Sequence, residues 1–180
     1  NNYPNWSKDA GQICFTSFKS GRPTLFVIGR GGRGARPVRP SSTILQGAWS
    51  PVSSELAVGG QVGVGNSEIL RLSPDGSSFV RLTSHPSIDT SPTWSPTGRE
   101  IAFTSDRTGT PHVHVMDREG GNQHRLSYDV DYTDSPSWSP KGDRIAFVTR
   151  AGGGFDIYTC RPDGSDTRLV VSGGSNENPR

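Results

Sequence analysis

The polar side chains with the clearest positional pattern are those that come just before the tryptophans of the chain. Carboxylates and hydroxyls at such positions can hydrogen-bond to the amides and basic groups of a protein partner. They can equally cap a local turn, which is the simpler interpretation of a short polar side chain before a strand. The five candidate partner-binding residues are Thr43, Asp89, Thr90 and Asp134, which come before a tryptophan, and Glu177 in the last segment of the sequence.

Other groups of reactive side chains match known site patterns less well. The acidic segment 129–134 resembles a Ca²⁺ loop but lacks the glycine and the distal glutamate of one. His112 and His114 share one face of a predicted strand, without a third metal ligand at suitable spacing. No Gly-x-Ser-x-Gly nucleophile motif occurs. The sequence therefore predicts no cofactor, no metal and no enzymatic activity.

Arginines recur through a glycine-rich stretch near the start of the chain, at positions 30, 33, 36 and 39. Such a stretch resembles an RNA-binding arginine-glycine segment, but no aromatic residue is interleaved to stack on bases. The chain as a whole has 19 basic and 17 acidic residues, and its formal net charge is +2. Because this balance creates no global field for nucleic acid or an anionic membrane, an acidic protein patch is the favoured partner for these arginines.

These candidate residues sit within a fourfold internal repeat. Its four Trp-Ser pairs are spaced 43, 45 and 44 residues apart, and an apolar triplet begins seven residues after each Trp. The tryptophans are Trp6, Trp49, Trp94 and Trp138. The triplets occupy residues 13–15, 56–58, 101–103 and 145–147. A second apolar run and a last aliphatic residue (Val38, Leu82, Leu126, Leu169) follow in every copy.

Each copy contains four strand-sized segments separated by Gly- and Pro-containing turns such as Pro-Asp-Gly. Units of four strands and about 40 to 45 residues are typical of β-propeller blades. We therefore predict an all-β propeller of four-stranded antiparallel blades over residues 1–180. The expected blades are approximately 1–40, 41–86, 87–130 and 131–175, and residues 176–180 begin a further blade of a longer propeller.

The repeat also predicts where parts of each blade lie. The Trp-Ser strand should line the channel, and the unbroken apolar triplet should form a central strand that is buried on both faces. Each Trp is expected to pack between blades. We expect the Gly-rich segment 59–65 to form a slack hairpin, and Cys14 and Cys160 to be free, half-buried thiols. No apolar run is long enough to form a transmembrane helix.

The best-formed repeat resembles that of the TolB family of propellers. It runs Ser-Pro-Thr-Trp-Ser-Pro-Thr-Gly over residues 91–98, and then Ile-Ala-Phe-Thr-Ser-Asp-Arg over 101–107. Residues 135–140 and 18–23 are similar to the same family. This resemblance covers essentially the whole chain.

The resemblance implies a six-bladed periplasmic propeller that binds the peptidoglycan-associated lipoprotein within the Tol-Pal system, which acts during cell division. It would assign binding to the connections between blades, which gather at one mouth of the channel: residues 39–47, 84–91, 128–135 and 172–178. The same repeat occurs in accessory propellers of prolyl-oligopeptidase-like serine peptidases. A structural subunit of a larger envelope or membrane complex is the third interpretation.

Overall fold

The computed structural model describes residues 2–39, 43–61, 65–128, 130–151, 154–177 and 179. The described chain forms four sheets, each made of four antiparallel strands in sequence order. Blade one contains β1 (Asn2–Trp6), β2 (Gln12–Ser17), β3 (Thr24–Gly29) and β4 (Arg36–Pro37). Blade two contains β5 (Thr43–Trp49), β6 (Leu56–Gln61), β7 (Ser67–Leu72) and β8 (Phe79–Arg81).

Blade three contains β9 (Asp89–Trp94), β10 (Glu100–Ser105), β11 (His112–Asp117) and β12 (His124–Arg125). Blade four contains β13 (Thr133–Trp138), β14 (Ile145–Ala151), β15 (Gly154–Cys160) and β16 (Arg168–Val171). The prediction of four-stranded antiparallel blades is confirmed. Within the part of the chain that the structure describes, no helix has the length and hydropathy needed to cross a membrane.

Turn chemistry fixes the register of the first hairpin in each blade. After Trp94, the amide of Ser95 donates to the Glu100 carbonyl at 2.9 Å, and the Ser95 hydroxyl accepts from the Glu100 amide at 3.1 Å. Gly98 closes the turn with φ +66°, a left-handed conformation that glycine adopts without steric cost. Because the serine holds both sides of the turn, the Trp-Ser strand is locked to the triplet strand that follows.

The core is divided among the joins between blades. Three apolar clusters exist among the described residues, and each contains side chains from two consecutive blades. The triplet strand of blade three shows the arrangement, since Phe103 and Ile101 belong to the join with blade two, whereas Ala102 belongs to the join with blade four. All three side chains are fully buried, as predicted for a central strand covered on both faces.

Three of the four tryptophans, Trp49, Trp94 and Trp138, pack between blades, as predicted. Trp94 is 6% exposed, and its indole Nε1 donates to the Ala48 carbonyl of the preceding blade at 3.2 Å. Trp6 occupies the same repeat position in blade one and is 56% exposed. The last aliphatic residue of a repeat packs against the following blade instead of the preceding one. Leu126 is buried against blade four, whereas Leu169 of blade four is 51% exposed. Both exposed side chains lie on faces that no described blade covers.

Two expectations about particular residues were wrong. Cys14 and Cys160 are free but fully buried, not half-buried, and burial raises the pKa of each thiol to about 12. Gly59 and Gly60 belong to strand β6 instead of a slack hairpin. A Cβ at Gly59 would lie 3.2 Å from the Thr90 Cα, so the missing side chain lets blade three approach. Residues 62–64 of that segment lie outside the described residues.

A matched pair of glycines tests whether the joins hold the structure. Gly120 and Gly32 both have positive φ and both stand 26 residues after their Trp, in the hairpin before the outer strand. A Cβ at Gly120 would lie 2.5 Å from the Leu82 carbonyl oxygen of the preceding blade, whereas a Cβ at Gly32 meets nothing within 4 Å. Alanine strains the backbone at both sites by about 1 kcal/mol.

We expect Gly120→Ala to lower the unfolding free energy by about 2 kcal/mol more than Gly32→Ala, because only the former pushes two blades apart. Urea unfolding of the two variants measures the difference. Equal losses would show that the close approach at Gly120 does not contribute to stability.

Candidate functional site

One end of the channel gathers the connections between blades together with the central hairpin of each blade. The amide of Ile44 donates to the Pro23 carbonyl at 3.2 Å, and the amide of Thr133 donates to the Pro111 carbonyl at 2.9 Å. Each bond ties the start of an inner strand to the central hairpin of the preceding blade. We name this end the mouth.

The channel below the mouth is lined by the inner strands. A cavity of about 240 Å³ lies among them, and the lining residues that the structure describes include no charged side chain. Four prolines line it: Pro4, Pro92, Pro136 and Pro179. Because proline has no N–H, these positions offer no donor for an added strand, a common protection of exposed strand edges.

A bulge near the start of each inner strand shapes the rim of the mouth. The register of β13 shifts between Asp134 and Ser137, and corresponding shifts occur in β1, β5 and β9. Ser91 and Ser135, which precede the channel prolines, have φ of 53°. Bulges bend a strand and re-aim its side chains. The residues before each bulge therefore lie at the mouth and not along the channel.

Four of the five predicted partner-binding residues lie within inner strands, which corrects their expected placement in loops. Thr43 begins β5, Asp89 and Thr90 begin β9, and Asp134 is the second residue of β13. Thr43, Thr90 and Asp134 are partly exposed. Glu177 is exposed and follows the bridge between Ser175 and Phe155. The structure thus brings all five to the mouth, but not all five to its surface.

Asp89 is the exception, because its side chain is completely buried. Its carboxylate pairs with Arg107, whose Nη2 lies 3.1 Å from Oδ2. Arg107 is held in turn by the Ser105 hydroxyl, 2.8 Å from Nε, and its guanidinium lies 5.3 Å from the centre of the Phe103 ring. The expectation that Asp89 adds a carboxylate to the rim is therefore wrong, and its contacts are those of a supporting residue under the mouth.

Asp134 joins blades three and four. Its Oδ1 accepts from the Thr104 hydroxyl of blade three at 2.8 Å and from the Ser135 amide at 2.6 Å. The Tyr132 hydroxyl lies 3.4 Å from Oδ2. Burial, and then the neighbouring Asp134 carboxylate, raise the pKa of Tyr132. One carboxylate oxygen of Asp134 is thus engaged in structure, and the partly exposed side chain still reaches the mouth.

Apolar side chains that the sequence pattern did not single out are exposed at the mouth. Tyr128 is 75% exposed in the connection to blade four, and Ile88 is 51% exposed in the connection to blade three. Phe18 in the central hairpin of blade one and Leu45 in β5 are exposed as well. The Arg125 guanidinium lies 5.0 Å from the Tyr128 ring centre. In the sequence, the available signal for these side chains was an apolar residue within an otherwise polar connection between blades.

The remaining sequence candidates form no reactive site in the described structure. His112 and His114 are buried, and burial is the first cause that lowers the pKa of both, that of His114 to about 4. Of the acidic segment 129–134, Asp129 lies outside the described residues. Among the residues that are described, no three His, Cys, Asp or Glu side chains are grouped to hold a metal ion.

Residues 1–180 of the chain match the family model of the TolB beta propeller domain. The chain belongs to the TolB β-propeller family. A curated relative, the protein TolB homolog of Chlorobium luteolum, is 38% identical over 166 residues, which is 90% of this chain and 37% of the relative. The Tol-Pal system protein TolB of Bordetella pertussis is 35% identical over 120 residues, 66% of this chain and 27% of that protein.

The crystal structure of TolB from Acinetobacter baumannii shows the same fold. It superposes with a TM-score of 0.80 at 21% identity, over 94% of this chain and 43% of that structure. This TolB-family chain thus covers less than half the length of each of these three proteins.

Replacement of Asp89 by Asn tests its supporting role in the TolB-family propeller. The variant leaves the partly buried Arg107 charge without its counter-ion, and we expect the unfolding free energy to fall by about 3 kcal/mol. Asp131→Asn, at an exposed carboxylate of the next connection, is the control and should change stability by less than about 0.5 kcal/mol. Urea unfolding gives both values, and similar small effects would contradict a structural ion pair at Asp89.

Proposed function

We propose that this chain is part of a non-catalytic, protein-binding propeller of the bacterial periplasm, and that its mouth binds the peptidoglycan-associated lipoprotein. The observation that carries the proposal is a set of exposed apolar and polar side chains on a rigid mouth. Its members are Phe18, Thr43, Leu45, Ile88, Thr90, Tyr128, Asp134 and Glu177. Aromatic residues within a polar rim are typical of protein interfaces.

Hydrogen bonds hold the backbone of Ile88 in place before any partner arrives. The Asp106 carboxylate accepts from the Ile88 amide at 2.7 Å, and the Asp106 amide donates to the Ile88 carbonyl at 3.4 Å. Ile88 is thus exposed on a connection whose backbone amide and carbonyl are both bonded to Asp106. A fixed surface loses little conformational entropy on binding, so its apolar contacts contribute more fully to affinity.

The relatives support the choice of partner. One of them is named a Tol-Pal system protein, and the family match covers the whole chain. A protein-binding role also agrees with the mouth, where His112 and His114 are buried and Asp134 accepts from the Thr104 hydroxyl of the neighbouring blade.

We also propose that the propeller has more than the four described blades, six in the full ring. Trp6 and Leu169 support this, because their counterparts in the other blades are covered by a neighbouring blade and they are not. Pro179 lines the channel with Pro136, which fits an inner strand of a further blade. A structure of the full-length protein tests this, and exposure of Trp6 and Leu169 there would contradict it.

Two substitutions at the mouth test partner binding in the full-length protein. We expect Ile88→Asp combined with Tyr128→Ser to weaken binding of the purified lipoprotein roughly tenfold or more, because exposed apolar anchors dominate such interfaces. Isothermal titration calorimetry gives the affinities. Phe79→Ser, at an exposed aromatic residue on the outer strand β8, is the control and should change the affinity less than about twofold.

The proposal fails if the unchanged protein does not bind the lipoprotein, or if the mouth and control variants lose affinity equally. Stable association with a hydrolase domain in place of the lipoprotein would favour an accessory propeller of a serine peptidase.

A further inference from the structure

The arginine-rich segment of blade one lies on the outer side of the propeller. Arg30 and Arg33 lie in the hairpin between β3 and β4, whereas Arg36 lies in β4 and Arg39 follows it. All four side chains are exposed. Since β4 is the strand farthest from the channel in its sheet, residues 30–36 lie away from the inner strands, and Arg39 is at the start of the connection to blade two.

These guanidinium groups have no counter-ions in the described structure. Within the described ranges, none of the four forms an ion pair or a side-chain hydrogen bond. The corresponding hairpins of the other blades are satisfied internally. Asp75 accepts from the Ser73 hydroxyl at 2.6 Å, Glu119 lies 2.8 Å from the Arg71 guanidinium, and Asp163 accepts from the Ser165 hydroxyl at 2.6 Å.

The positive charge of the chain is concentrated in this segment. The chain has 19 basic and 17 acidic residues, a net charge of +2. Without these four arginines, 15 basic and 17 acidic residues remain, a net charge of −2. A local positive patch on an otherwise slightly negative protein attracts a local negative partner.

Arg30 has a structural counterpart and is set apart from the other three. It stands 24 residues after Trp6, as Arg118 stands 24 residues after Trp94. Arg118 reaches the preceding blade, where its Nη2 lies 2.8 Å from Glu55 Oε2. Arg30 thus occupies a position that serves the join between blades.

We propose that Arg33, Arg36 and Arg39 form a docking site for an extended acidic segment of a partner protein. A guanidinium binds a carboxylate through two parallel hydrogen bonds, and three in succession suit a strip of Asp or Glu side chains. The site goes beyond lipoprotein binding at the mouth and uses different residues.

Two other anionic partners fit the surface less well. A membrane is a broad surface, and it would also meet the carboxylates of the neighbouring outer hairpins, such as Asp75 and Asp163, which are in exposed turns. Nucleic acid bases need aromatic side chains to stack on, and residues 29–39 contain none. A narrow acidic peptide would not meet the carboxylates of the neighbouring hairpins, and it needs no aromatic side chains to stack on.

A labelled peptide of alternating glutamate and glycine is the probe, and the full-length protein is titrated against it by fluorescence anisotropy. We expect replacement of Arg33, Arg36 and Arg39 by Gln to weaken peptide binding about tenfold at low ionic strength, because three charge-assisted contacts are lost. The same three positions changed to Lys should give an intermediate loss, since the charge stays but the paired geometry does not.

The matched control removes equal charge from the hairpins of other blades. Arg99, Lys141 and Arg161 are exposed, and their change to Gln should alter peptide affinity less than about twofold. Far-ultraviolet circular dichroism confirms that both variants are folded. The mouth variants should leave peptide binding unchanged, so this proposal and lipoprotein binding can fail separately.

Three results would overturn the proposal. The unchanged protein could fail to bind the peptide, or the control could lose as much affinity as the arginine variant. Tighter binding of polyuridylate or of anionic phospholipid vesicles than of the peptide, lost with the same three arginines, would assign the site to that partner instead.

Discussion

The structure depends on the burial of each blade against its neighbours, because a four-stranded sheet of this size has no core of its own. Every apolar cluster in the described residues draws side chains from two blades. Alternation along the triplet strand makes this possible, since Ala57 faces the following blade and Leu56 and Val58 face the preceding one. The small alanine leaves room for the tryptophan of the next blade, which buries a large apolar area at each join.

The joins also determine what the mouth can do. Polar bonds cross them at the start of each inner strand: the amide of Val113 donates to the Thr133 hydroxyl at 2.7 Å, and the Thr104 hydroxyl donates to Asp134 at 2.8 Å. The connections between blades are therefore tied to the sheets on both sides. Ile88 can be exposed at a fixed position because its backbone is bonded to Asp106 and does not need to be ordered by the partner.

The period of the tryptophans was sufficient to predict the architecture, because one side chain that must pack between blades specifies each repeat. The burial of Asp89 was not predictable in the same way. Arg107 lies 18 residues later, and only the pairing of Ser105 with Asp89 across β10 and β9 brings the two together. The prediction that Gly59 belongs to a hairpin was wrong for a related reason. The role of Gly59 depends on the approach of Thr90 from another blade and not on turn chemistry.

The central claim, that side chains crossing the joins hold the blades together, is tested most directly by one pair of substitutions in the 180-residue chain. Leu126 and Leu169 are equivalent residues of consecutive blades, but only Leu126 is covered by a following blade. Urea unfolding should show a loss of at least about 3 kcal/mol for Leu126→Asp, and less than about 1 kcal/mol for Leu169→Asp. Equal losses would contradict the account, because stability would then reside within each blade.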